Sequence, residues 1–87
     1  MNPRVIEAHC HEDYTITLTF SNGENRFFSV RPYLEYPVFA PLASIPYFLQ
    51  GQAAHGTVAW PNEEDFCPDT LYLESEPIEP AKIGNAA

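Results

Sequence analysis

The alternation over residues 14–20 constrains the fold of this chain more than any other sequence feature. These residues, YTITLTF, alternate between large apolar side chains and threonines without a fault. A period of two with β-branched and aromatic residues is typical of a strand with one buried face. The face predicted to be buried carries Tyr14, Ile16, Leu18 and Phe20.

A Ser-Asn-Gly turn follows at residues 21–23, and two loop lengths fit it. A two-residue loop would place Leu18 opposite Phe27. A three-residue loop, with its glycine in the left-handed conformation, would place Ile16 opposite Phe28. We favour the three-residue loop because its register buries Phe28, whereas a one-residue slip would expose that side chain.

Residues 4–11 alternate more weakly and predict a strand before this hairpin, which completes an antiparallel meander over roughly residues 4–30. One face is expected to carry Ile6, Ala8 and Cys10, and the other Val5, Glu7, His9 and His11. The prolines between residues 32 and 50 then forbid one long helix. We predict a short helical turn at residues 31–35 and a short helix from Ser44 to Gly51. The apolar side chains expected to cover the meander are Leu34, Val38, Phe39, Leu42, Ile45 and Phe48.

The C-terminal part predicts a later strand at residues 53–60 and a final helix that begins at Pro68. Residues 75–87 are expected to form a mobile tail. The predicted fold is therefore a single α+β domain over residues 1–74. Its small antiparallel sheet combines the three-strand meander with the later strand, and short helices lie between them and at the C-terminal end.

Charge and cysteine content exclude several classes of function. The 87 residues include 12 acidic and 4 basic side chains, for a net charge of −8. Nucleic-acid binding needs clustered lysine or arginine, so the chain is not expected to bind nucleic acid by itself. No apolar run approaches the ~18 residues of a membrane span, and none resembles a signal peptide. With two cysteines and no disulfide framework, we expect a cytoplasmic protein with reduced thiols and no membrane partner.

The run WPNEEDFCPDTLY, residues 60–72, resembles the closing signature of a bacterial family of domains of unknown function, numbered 2442. The matching residues are Trp60, Pro61, Asp65, Pro68, Asp69, Leu71 and Tyr72. The resemblance extends over roughly residues 4–74 and implies a small α+β domain, followed in some members by a helix-turn-helix domain. Cys67 stands where the family usually has serine, which is the better helix N-cap.

The resemblance implies little about activity, because no catalytic residue is established for the family. Its genes often neighbour another small uncharacterised protein, which has prompted a toxin–antitoxin proposal. We expect the motif itself to be structural: Trp60 would fill the core, Pro61 would end the strand, Asp65 would bond loop amides, and Leu71 with Tyr72 would hold the last helix on the sheet.

Three groups of side chains are candidates for a functional site. Glu7, His9 and His11 share a strand face and offer the ligand types of a metal site. We favour the simpler interpretation of a solvated face, because the outer face of an edge strand is where polar residues ordinarily lie. Cys67 at a helix N-terminus has the position of an activated thiol. The densest acidic group would suit docking of a basic protein; it comprises Glu63, Glu64, Asp65 and Asp69.

We therefore expect a non-catalytic protein-interaction module without a cofactor, the acidic partner of a toxin–antitoxin-like pair that meets a small basic protein. Two alternatives stay open. One is a small metal-binding or thiol-dependent enzyme that uses His9, His11 and Cys67. The other is a transcription-associated domain that lacks its own helix-turn-helix.

Overall fold

The computed structural model describes residues 2–78 and contains two antiparallel sheets joined by short helices. The α+β class predicted from the sequence is confirmed. In chain order the elements are β1 (Val5–Cys10), β2 (Thr15–Phe20), β3 (Asn25–Ser29), two 3₁₀ helices (Arg31–Tyr33 and Pro37–Ala43), α1 (Ile45–Phe48), β4 (Gln52–Ala54), β5 (Thr57–Ala59), α2 (Pro68–Glu74) and β6 (Glu76–Pro77). The larger sheet has the order β1-β2-β3-β6, and β4 pairs with β5.

The β2–β3 hairpin has the three-residue loop favoured by the sequence. Ile16 lies opposite Phe28, and the Val30 N–H donates to the Tyr14 carbonyl at 2.8 Å. Gly23 closes the turn with a φ of 89°, a left-handed conformation that glycine adopts without a Cβ penalty. This register places Ile16, Leu18, Phe20 and Phe28 in the core, whereas Phe27 is 38% exposed.

A β-bulge makes our prediction for the start of β1 wrong. The register shifts between Val5 and Glu7, so that Val5 pairs with Phe20 and Glu7 pairs with Thr19. Val5 is consequently only 4% exposed, whereas Ile6 is 58% exposed. Strict alternation predicts the reverse, with Ile6 on the apolar face beside Ala8 and Cys10 and Val5 on the polar face. It cannot anticipate an extra residue in one strand.

Residues 52–59 form a hairpin, not the single strand predicted over residues 53–60. Strands β4 and β5 meet at His55 and Gly56, whose φ values of 53° and 81° suit a tight two-residue loop. His-Gly is a weaker hairpin signal than Asn-Gly or Asp-Gly, which explains the error. The hairpin lies beside β1, because the Val5 N–H donates to the Gly56 carbonyl at 3.0 Å.

The chain returns to the large sheet after α2, within the segment that we predicted to be a tail from residue 75 onward. Ser75 is buried, and β6 pairs with Arg26 and Phe27 of β3. The Arg26 guanidinium donates to both the hydroxyl and the carbonyl of Ser75 at 2.7 Å. These bonds hold the connection between α2 and β6. Residues 79–87 of the predicted tail lie outside the described residues.

The prolines divide the connecting segment into short helices, as predicted, and α2 begins at Pro68. Leu42 and Phe48 are fully buried, but Val38 is 62% exposed and does not cover the meander. A 3₁₀ helix has three residues per turn, so Phe39 and Leu42 share one side and Val38 falls outside it. None of the helices in residues 2–78 has the length and apolar character of a membrane span.

The core lies between the inner face of the large sheet, the helices and β5. Phe66, which the sequence did not single out, is central to it: its ring centroid lies 4.4 Å from that of Phe39 and 5.2 Å from that of Phe28. The buried apolar residues are Val5, Ile16, Leu18, Phe20, Phe28, Val30, Leu42, Phe48, Val58, Trp60, Phe66 and Leu71.

Candidate interaction surface

One of the four side chains predicted to form an acidic surface is buried in the structure. Glu63, Asp65 and Asp69 are exposed, but Glu64 is only 8% exposed. The Tyr47 hydroxyl donates to the Glu64 carboxylate at 2.6 Å, so this side chain points inward toward α1. Glu64 is therefore a structural carboxylate, and the prediction that it faces a partner is wrong.

A tight turn explains why neighbouring acidic residues face in different directions. The Glu63 N–H donates to the Trp60 carbonyl and the Trp60 N–H donates to the Glu64 carbonyl, both at 2.9 Å. Glu63 has a φ of 74°, a left-handed value that reverses the chain. The Tyr47 hydroxyl also accepts from the Asn62 N–H at 2.9 Å. Burial and the bond to Glu64 raise the pKa of Tyr47.

The motif at residues 60–72 contributes apolar side chains to the core and carboxylates to the surface. Trp60 is 3% exposed, and its indole N–H donates to the Phe48 carbonyl at 2.8 Å. Leu71 is fully buried on α2, and the Tyr72 hydroxyl donates to the Glu24 carboxylate at 2.6 Å. The exposed members of the motif are Pro61, Asp65 and Asp69.

Cys67 is the N-cap residue of α2, and its exposed thiol makes no capping hydrogen bond. We predict that Cys67→Ser raises the free energy of unfolding by about 0.5–1 kcal/mol, because a serine hydroxyl accepts from an N–H of the first helical turn. Urea denaturation followed by far-UV circular dichroism measures the change. Cys67→Ala is the matched control and should not gain stability; equal stability of the serine and alanine variants would contradict the prediction.

The metal ligands considered on β1 and at the residue that follows it are exposed. Glu7 and His9 are exposed, and the His11 ring Nε2 lies 2.7 Å from the Thr17 hydroxyl. Across residues 2–78, no three His, Cys, Asp or Glu side chains are placed together to hold a metal ion. Both cysteines are free, and burial raises the pKa of the Cys10 thiol to about 11. Its reactive thiolate form is therefore scarce at neutral pH.

A cleft beside β3 adds a second acidic feature, which the sequence did not reveal. This β3 cleft has a volume of about 250 Å³. Glu74 ends α2 and Glu76 begins β6, so the return of the chain brings two carboxylates to the aromatic residues of the cleft. Burial and the charge of Glu74 raise the pKa of Tyr33. The lining residues are Phe27, Phe28, Ser29, Pro32, Tyr33, Glu74 and Glu76.

The family model described as "Protein of unknown function (DUF2442)" matches residues 5–77. The chain belongs to this family. The match begins at the first residue of β1 and ends at the last residue of β6, so the DUF2442 domain includes the return strand after α2. No curated protein and no solved structure gave a significant match.

A hydrogen-bonded cluster holds the DUF2442 domain together between the β2–β3 turn and α2. The Glu24 carboxylate accepts from the Tyr72 hydroxyl at 2.6 Å, from the Asn22 amide at 2.5 Å and from the Arg26 guanidinium at 2.9 Å. The guanidinium carbon also lies 4.8 Å from the Tyr72 ring centroid. The bonds from Tyr72, Asn22 and Arg26 lower the pKa of Glu24.

This lowered pKa predicts an acid-sensitive contribution to stability. The contribution is complete above the ordinary glutamate pKa of 4.5 and is lost as the pH falls through the lower value of the folded state. Urea unfolding at a series of pH values should show wild type losing its advantage over Glu24→Gln in this range. Glu35→Gln, at an exposed glutamate, is the control and should stay parallel to wild type. A Glu24→Gln curve that is also parallel would contradict the prediction.

Proposed function

We propose that this DUF2442 protein is a non-catalytic interaction module that binds a small basic protein, as the acidic member of a bacterial toxin–antitoxin-like pair. The observation that carries the proposal is the excess of exposed carboxylates over free cations. Arg26 is bound to Glu24, which leaves Arg4 and Arg31 as the exposed arginines of the described chain. The exposed carboxylates are Glu7, Glu12, Asp13, Glu35, Glu63, Asp65, Asp69, Glu74 and Glu76.

Such a surface suits a basic partner for a physical reason. A field of one sign steers an oppositely charged protein during diffusion and disfavours partners of like charge. Exposed charges contribute more to the association rate than to the final affinity. We also propose that the pair acts in the cytoplasm, since both thiols are free.

The experiment that tests this proposal is a calorimetric titration of the full chain with the protein encoded by the neighbouring gene, with the association rate measured by surface plasmon resonance. We expect a stoichiometric complex whose association slows and whose affinity falls as salt concentration rises. The triple variant Glu63→Gln, Asp65→Asn, Asp69→Asn should associate more slowly than wild type at the same salt concentration. Absence of a stoichiometric complex, or a complex insensitive to salt, would contradict the proposed function.

A further inference from the structure

Strand β3 has an open end at one edge of the large sheet. The Val30 N–H donates to the Tyr14 carbonyl, so the even-numbered residues of β3 direct their main-chain groups toward β2. Odd-numbered residues point the other way, and the Asn25 carbonyl accepts from the Ile78 N–H at 2.9 Å. Ser29, the last odd-numbered residue, is paired with Thr15 of β2 on one side. On the side that faces away from β2 it lies beyond the pairs formed by β6, and no strand among residues 2–78 pairs with it there.

The β3 cleft lies against this open end, because Ser29 is one of its lining residues. Its volume of about 250 Å³ is below the ~300–1,000 Å³ of most small-molecule sites, and it suits a single large side chain. Phe27 and Tyr33 supply aromatic surface, and Glu74 with Glu76 supplies negative charge. A planar guanidinium stacks on aromatic rings and pairs bidentately with carboxylates, so arginine matches both kinds of lining group.

We propose that the β3 cleft receives an arginine side chain from an extended segment of a basic protein, and that the main chain of Ser29 anchors this segment beside β3. Addition of a strand to a sheet edge is a common mode of peptide recognition, in which main-chain bonds give affinity and side-chain pockets give specificity. The proposal rests on the proposed function and specifies where the basic partner docks.

The first test uses a blocked pentapeptide, acetyl-Thr-Val-Arg-Val-Thr-amide, added to the full chain and followed by NMR. We expect saturable shifts of the Ser29 amide and of the Tyr33 ring resonances. Replacing the arginine with citrulline, a neutral analogue of the same shape, should weaken binding by about fivefold or more. Equal affinity of the two peptides, shifts confined to residues outside the β3 cleft, or no saturable shift would overturn the proposal.

A matched pair of charge variants separates the β3 cleft from the general acidity of the surface. Glu74→Gln with Glu76→Gln should lower the arginine-peptide affinity by about fivefold, whereas Glu63→Gln with Asp65→Asn should change it by less than about twofold. All four side chains are exposed, so both double variants are expected to fold; circular dichroism confirms this for each protein. Equal losses in the two double variants would show attraction by net charge alone and would overturn the proposal.

The protein encoded by the neighbouring gene distinguishes this inference from the proposed function. If it binds wild type and the Glu74→Gln, Glu76→Gln variant equally well, the docking site is wrong and the proposed function stands. If it forms no complex with wild type, the proposed function fails, and the β3 cleft as the docking site of that partner fails with it.

Discussion

Replacing Trp60 with alanine is expected to lower the free energy of unfolding by about 3–5 kcal/mol. The side chain is 3% exposed, and its ring centroid lies 6.0 Å from those of both Phe48 and Phe66. Its indole N–H also donates to the buried Phe48 carbonyl. Since native domains are stable by only about 5–15 kcal/mol, and small ones lie at the low end, we expect this variant to be only marginally stable at room temperature.

The loss is best measured by urea denaturation with far-UV circular dichroism, because Trp60 is the only tryptophan and its fluorescence disappears with it. Trp60→Phe is the informative comparison: it keeps an aromatic ring in the core and removes the indole donor. We expect an intermediate cost of about 1–3 kcal/mol, from the smaller ring and the lost indole hydrogen bond. The Phe48 carbonyl keeps its bond from the Gly51 N–H at 3.1 Å. A Trp60→Ala variant as stable as Trp60→Phe would contradict this role.

Gly51→Ala is expected to destabilise the domain by about 3 kcal/mol, at the upper end of the usual cost of overpacking. A Cβ at Gly51 would lie 2.7 Å from Cε2 of Trp60 and 2.9 Å from Sγ of Cys10, closer than real Cβ atoms approach other atoms. Trp60 is buried in the core and Cys10 is partly buried, so neither group can move freely. The same urea denaturation measures the loss.

The fluorescence emission of Trp60 is a second measurement for Gly51→Ala, because the added methyl group would displace the indole ring. Gly23→Ala is the control: nothing lies within 4 Å of a Cβ there, and its cost comes only from the left-handed backbone. We expect both variants to lose stability and only Gly51→Ala to change the folded-state emission. Unchanged emission in Gly51→Ala would show that the indole is not displaced.

The local sequence pattern was sufficient to predict the structure where a single strand and its turn determine it. The alternation of residues 14–20 predicts both the existence of β2 and its buried face, because period two has no other simple structural explanation. The register of β3 follows from the same argument, since Phe28 is buried in one register and exposed in the other. Pro68 likewise marks the start of α2, because proline at the first helical position lacks only an N–H that would be unpaired anyway.

The remaining features depend on contacts between distant segments, which local pattern does not encode. Ile6 is displaced outward by a bulge that arises in the pairing of β1 with β2. Glu64 is buried because Tyr47 of α1 binds it across the fold, although its sequence neighbours are exposed. The β3 cleft is harder still to anticipate, because Glu74 and Glu76 reach β3 only through the return of the chain in β6.

The two edges of the large sheet differ in a way that limits how the domain assembles. At one edge, β1 is bulged and its first N–H is bound by the carbonyl of Gly56. At the other, within the described part of the chain, no strand pairs with Ser29 on the side of β3 that faces away from β2. A sheet with one receptive edge can take up one added strand but offers no second edge from which copies could continue into a fibre. If the β3 cleft receives a strand as we propose, we therefore expect closed one-to-one complexes, not open-ended polymers.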